Sequence, residues 1–165
     1  HHCMEHLVRT RAVRIRRKLL DQPLFARLSA EEKERMFAEA LHFWSGPWGR
    51  AVRSAKKCYP ELPFIYKTRH GLLKGQMDLL FETKAGEWVI LDYKTNRIAP
   101  SEKQRTARDY ELQLGLYALA FNRIYGAAPK RGVLYFSAID ESFEFKYGDG
   151  DWAEIEKKLD ASFSV

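Results

Sequence analysis

Cysteine is scarce in this 165-residue sequence: only Cys3 and Cys58 occur, far apart and without a Cys-x-x-Cys pair. That scarcity excludes the usual zinc-ribbon, four-cysteine iron–sulfur and disulfide-framework patterns, and makes a reducing cytoplasm the expected setting. No apolar run approaches the ~20 residues needed to cross a bilayer, and no signal-peptide pattern opens the sequence. A soluble protein that does not contact membrane is therefore expected. A Gly-x-x-x-x-Gly-Lys-(Ser/Thr) phosphate loop is also missing, so the chain carries no recognisable nucleotide-driven motor. Internal repeats and low-complexity tracts are absent. Acidic residues are missing from positions 9 to 18, where Arg9, Arg11, Arg14, Arg16, Arg17 and Lys18 cluster.

What is present describes a globular α/β chain. Hydrophobic residues make up 45% and aromatics 13%, and the length suits a single domain with its own core. The domain is expected to span residues 1–165, with a helical region over 1–56 and an α/β core over 57–165. Net charge is +6. The surplus is concentrated at residues 9–18 and again at Arg97, Lys103, Arg105 and Arg108, clusters of the kind a polyphosphate backbone selects. A solvated helix face accounts equally well for the first cluster.

Periodicity predicts a helix from His1 to about Leu20, closed by Asp21-Gln22-Pro23. A second helix should start at Ser29, where Ser29-Ala30-Glu31-Glu32 has the capping-box pattern, and a short third should run from Trp48 to about Ala55. Prolines 60 and 63 then forbid helix, and three strands are expected at about 61–70, 72–83 and 87–94. Residues 96–108 read as a polar loop entering a helix. Residues 110–125 read as that helix, ending at Gly126. Gly132–Ser137 reads as a buried strand reached by a crossover, residues 143–147 as an edge strand, and Asp151 to about Ser162 as a closing amphipathic helix.

The chemistry is concentrated between Gly75 and Thr95. Asp78 interrupts an apolar-rich strand, and Asp92-Tyr93-Lys94-Thr95 ends the unbroken apolar run Trp88–Leu91. Charges in such strands are costly unless paired or bound to metal. Two carboxylates at adjacent strand ends can hold one Mg2+, with water and a phosphate as further ligands. Residues 92 and 94 leave the same face of a strand, so Lys94 points where Asp92 points. There it can orient the attacking water and offset developing charge. The reaction this set suits is metal-assisted phosphodiester hydrolysis. An exposed Asp-x-Lys that pairs across strands is the structural alternative. Downstream, Gln113 and Tyr117 lie four apart on one helix face. Glu61 is a third carboxylate that can either reach the site or serve as a structural hydrogen-bond partner.

Gly75-x-x-Asp78, Asp92-Tyr93-Lys94-Thr95 and Gln113-x-x-x-Tyr117, in that order, resemble the nuclease domain of RecB-type enzymes in the PD-(D/E)XK superfamily. The resemblance is strongest to the C-terminal nuclease domain of AddA-type helicase–nuclease subunits, and it spans nearly the whole chain. Tyr59-x-Glu61-x-Pro63-Phe64 and Leu134-Tyr135-Phe136 are supporting matches. It implies a restriction-endonuclease-like core, a central mixed β-sheet flanked by helices. It further implies Mg2+ or Mn2+ held by Asp78, Asp92, the Tyr93 carbonyl and a histidine matched by His1. Lys94 would position the nucleophilic water, and Gln113 and Tyr117 would support substrate and site. Arg97, Lys103, Arg105 and Arg108 are expected DNA contacts from their charge alone.

The implied activity is an exonuclease acting on single strands or duplex ends during double-strand-break repair and recombination, in the bacterial nucleoid. Its implied partners are a helicase domain in the same chain and a second subunit of the helicase–nuclease. The alternatives are a stand-alone relative, a non-cutting nucleic-acid-binding module on the same fold, a different metal-dependent hydrolase and a purely structural α/β domain.

Overall fold

Ser29 sets the first boundary. Its hydroxyl accepts from the Glu32 backbone N–H, and the Glu32 carboxylate accepts from the Ser29 N–H, closing the capping box that starts helix α1, Ala30–Ser45. Gly46 and Pro47 end that helix and launch α2, Pro47–Arg53. The computed structural model describes residues 23–163 together with Val8. The helix expected from His1 to about Leu20, including His1 and most of the first basic cluster, lies outside the described residues.

Five strands follow in a sheet of sequential order: β1 Lys57–Thr68, β2 Gly71–Glu82, β3 Trp88–Lys94, β4 Pro129–Phe136 and β5 Glu141–Lys146. The β1–β2, β2–β3 and β4–β5 pairs are antiparallel. The β3–β4 pair is parallel, because helices α3, Lys103–Asp109, and α4, Glu111–Tyr125, cross over between them. Helix α5, Asp151–Ser162, closes the chain. This is the mixed, helix-flanked α/β sheet expected from the sequence.

Strand alternation divides the core into two layers. Val89, Leu91 and Tyr93 face α1, where the Phe43 ring stands edge-on to Tyr93 and Tyr135 at centroid distances of 5.1 and 4.9 Å. Ile90, Leu80 and Leu134 face α4 and pack on Leu114, Ala118 and Phe121. Helix α5 rests against α4, where Gly115 admits Ile155: a Cβ there would stand 3.3 Å from the Ile155 side chain. Gly126 ends α4 with φ of +67°, a left-handed cap that suits glycine.

Several expectations change in detail: β4 and β5 begin two to three residues earlier than expected. Residues 96–108 are not a simple loop: they contain a 3-10 turn, Pro100–Glu102, and helix α3. Only Ala107 of α3 is buried, so no apolar period marks the helix in the sequence. Strand β1 also starts earlier than expected, at Lys57. It and β2 are each 12 residues long, and their hairpin extends past the rest of the sheet.

Candidate active site

The length of β2 decides where Asp78 sits. The β2–β3 ladder runs from Glu82↔Trp88 to Leu79↔Leu91 and stops there, after which β2 continues with β1 and β3 continues with β4. One residue beyond the last paired rung, Asp78 and Asp92 face each other across a fork between the two strands. Asp78 is therefore in mid-strand and not at a strand end as expected. The fork frees the Tyr93 backbone N–H, which donates to Asp78 Oδ2 at 2.9 Å.

The opposite side of β2 is distorted at the same level. The β1–β2 register is kept from Pro60↔Leu79 to Leu62↔Met77 but skips Glu61 and Asp78. Glu61 has φ of +51°, a left-handed conformation unusual for a side-chain-bearing residue, so it marks local strain beside the site. Its carboxylate accepts from the Gln76 amide. Glu61 thus lies close enough to act on Asp78 electrostatically while being held by a neighbour on β2.

Asp92 is the only buried charged residue among those described, at 3% exposure. The Lys94 ammonium stands 2.6 Å from its Oδ2. Burial raises the Asp92 pKa above the ordinary carboxylate value, and the Lys94 ammonium opposes the rise. Asp78 is pushed up to about 7, first by burial, then by the charge of Asp92, with Glu61 adding to it. The Tyr93 N–H and Lys94 pull the other way. One ammonium thus serves two neighbouring carboxylates, and the excess negative charge is what a cation would neutralise.

Whether these residues suit a metal follows from their donor atoms. No cluster of three or more His, Cys, Asp or Glu converges among the described residues. Two carboxylates, a strand carbonyl and water are nevertheless the ligand type that suits Mg2+. A buried and a half-buried carboxylate that share one ammonium, the ionisation of Asp78 being suppressed by burial and by Asp92, fit a hard divalent cation.

Helix α4 supplies the third side. Gln113 Nε2 donates to the Tyr117 hydroxyl at 2.7 Å. Burial raises the Tyr117 pKa, and the charges of Asp92 and Asp78 raise it further, which places the phenol within their field. Tyr117 also packs edge-on against Phe64 at 5.6 Å. Gly75 makes room for both rings: a Cβ there would lie 2.6 Å from Phe64 and 3.4 Å from Tyr117. The Gly75, Asp78, Asp92, Lys94, Gln113 and Tyr117 positions therefore meet at one place.

The expected basic contacts lie at different places. Arg97 lines a cleft of about 480 Å3 with Arg35, His42 and Ser137. Its neighbour Lys103 is engaged by Glu141. Arg105 is exposed on α3. Arg108 lines a separate cavity of about 370 Å3 bounded by α4, β5 and α5.

Sequence reading missed Tyr110. The residue looks like no more than the start of a helix, yet its ring lies under the Lys94 ammonium, 3.9 Å from nitrogen to centroid. Its hydroxyl accepts from Asn96 Nδ2 at 3.3 Å. The available signal was an aromatic one helical turn before Gln113, which has meaning only once α4 is known to cross back over β3.

Comparison with known proteins identifies a family and longer relatives. The profile described as the PD-(D/E)XK nuclease superfamily matches residues 1–161. An ATP-dependent helicase/nuclease subunit of Alkaliphilus oremlandii is 33% identical over 115 residues, 61% of this chain and 10% of that protein. The protein of the same name from Carboxydothermus hydrogenoformans is 29% identical over 128 residues, 69% of this chain and 11% of that protein. The one from Clostridium acetobutylicum is 28% identical over 136 residues, 72% of this chain and 11% of that protein. The chain spans about a tenth of the length of these relatives.

Proposed function

Because the chain belongs to the PD-(D/E)XK nuclease superfamily, we propose that it is a metal-dependent DNA nuclease working as the exonuclease module of a helicase–nuclease that processes double-strand breaks for recombinational repair. The observation that carries this reading is the strand fork, where Asp78 and Asp92 meet with Lys94 as their shared ammonium. Its substrate would be DNA, as single strands or duplex ends, and its setting the bacterial cytoplasm at the nucleoid. No helix among the described residues is long and apolar enough to cross a membrane.

In this reading Asp78 and Asp92 hold Mg2+ or Mn2+, with the Tyr93 carbonyl and His1 as further ligands. When bound, such a cation supplies charge to a phosphoryl oxygen and lowers the pKa of water. Lys94, anchored by Asp92, holds the attacking water and offsets negative charge as it builds on the phosphate. Gln113 and Tyr117, tied to each other, support the substrate strand from α4. Glu61, held by Gln76, adds negative charge beside Asp78 and so favours the cation-bound form. Arg97, Lys103, Arg105 and Arg108 offer phosphate contacts outside the reacting centre.

A helicase motor in the same chain and a second subunit of the helicase–nuclease would deliver the strand, as the names of the much longer relatives suggest. The test is incubation of linear and covalently closed circular DNA with the protein in Mg2+ and in EDTA. The exonuclease reading expects the linear form to be degraded in Mg2+ only, with the circle spared. Degradation in EDTA would overturn the metal requirement, and equal cutting of the circle would replace exonuclease by endonuclease.

A further inference from the structure

Lysine has a flexible four-carbon stem, and an ammonium that must work at one point needs that stem fixed. The ion pair to Asp92 fixes the nitrogen from one side only. The Tyr110 ring is a second contact, its centroid 3.9 Å from Nζ. We infer that Tyr110 is the positioning residue of Lys94, its ring face clamping the ammonium against Asp92; the inference rests on Lys94 acting at the reacting centre.

The ring is itself held from several directions. Tyr110 ends α3 and starts α4: its N–H bonds the carbonyls of Ala107 and Arg108, and its carbonyl accepts from the Leu114 N–H at 3.1 Å. Its hydroxyl accepts from Asn96, two residues after Lys94, so the loop leaving β3 is tied to the same ring. Gln113 lies one helical turn further along α4. The junction of two helices thus sets both the Gln113–Tyr117 pair and the platform beneath Lys94. A π face attracts an ammonium without taking its proton and leaves N–H groups turned away from the ring free to donate. Lys94 can therefore be confined and still donate to water and to Asp92.

The test uses a protein labelled with carbon-13 at the lysine ε position, and variants Tyr110→Phe, Tyr110→Leu and Lys94→Arg. A methylene held over an aromatic face resonates upfield of free lysines. Lys57 stands over Trp88 at 5.6 Å and gives its own upfield signal; a further, Lys94 signal is expected in wild type and Tyr110→Phe. It should be lost in Lys94→Arg, which assigns it, and lost in Tyr110→Leu.

In DNA digestion with Mg2+, Tyr110→Leu should lower kcat on the order of tenfold with KM for DNA unchanged, and Tyr110→Phe should restore kcat. Absence of a Tyr110-dependent lysine signal overturns the inference, as does wild-type kcat in Tyr110→Leu. A rise in KM alone also overturns it, because that would make Tyr110 a surface for DNA. The spectrum is recorded without DNA. A wild type that fails to cut would therefore count against the nuclease reading, while the clamp would stand or fall on the lysine signal.

Discussion

At the scale of the residue, Asp78 links site chemistry to stability. Its pKa is pushed up from 3.8 to about 7 by burial and by Asp92. Between those values the folded chain holds more protons than the unfolded chain, so stability falls as pH rises. The contribution is fully present below about pH 4 and is lost as pH passes about 7. Asp78→Asn keeps an acceptor for the Tyr93 N–H and removes the titration. In EDTA it should leave the thermal midpoint unchanged near pH 4 and raise it by a few degrees at pH 8. The corresponding gain is about 1–3 kcal/mol, reduced from the full pKa difference because Asp78 is partly exposed.

Adding Mn2+ at pH 8 should reverse the order, since ligand binding stabilises only the chain that can hold it. A midpoint difference that does not depend on pH would mean that Asp78 is not under charge stress.

Asp78, Asp92 and Lys94 were legible in the sequence because charges standing in apolar strands are conspicuous. What the residues alone did not reveal was the fork. It depends on where β2 changes partner, and nothing local to Asp78 encodes that. Tyr110 was illegible for the same reason, since its meaning comes from a contact with Lys94 across a crossover. The carboxylate–lysine contact itself follows from strand alternation and could be anticipated from the spacing of residues 92 and 94.

At the scale of the element, local signals mark boundaries well and long-range partners mark them poorly. The Ser29 capping box, the Gly126 cap and the limits of α5 agree with the sequence reading because each is fixed within one turn of chain. Helix α3 and the early start of β1 do not, since α3 has one buried residue and β1 takes its length from β2.

Two substitutions separate scaffold from site. Ser29→Ala removes the helix cap and should cost about 1 kcal/mol in urea denaturation, with DNA cutting per folded molecule unaltered. Gly75→Ala puts a methyl 2.6 Å from Phe64 and should cost about 1–3 kcal/mol through overpacking. Because Phe64 packs on Tyr117, that change should also lower cutting per folded molecule. Equal cutting by Gly75→Ala and wild type would show that the Phe64–Tyr117 pair does not position the site.

At the scale of the whole molecule, the β2–β3 hairpin and helix α4 meet at one fork, while Arg97 and Arg108 line separate cavities. The net charge of +6 predicts DNA binding that weakens steeply with salt. Arg97→Ala should weaken binding at low salt without changing metal affinity, measured by fluorescence anisotropy and calorimetry. Loss of metal binding in that variant would contradict the separation of phosphate contact from reacting centre.

If the Asp78–Asp92 fork with Lys94 hydrolyses DNA, the chemical step itself must depend on the ammonium. Single-turnover digestion of end-labelled single-stranded DNA by wild type and Lys94→Ala, each saturated with DNA in Mg2+, isolates that step. Wild type should cut in a manner that EDTA abolishes, and Lys94→Ala should lose about 10²–10³-fold in rate with DNA binding retained. Cutting by Lys94→Ala at the wild-type rate would contradict the assignment of the fork as the reacting centre.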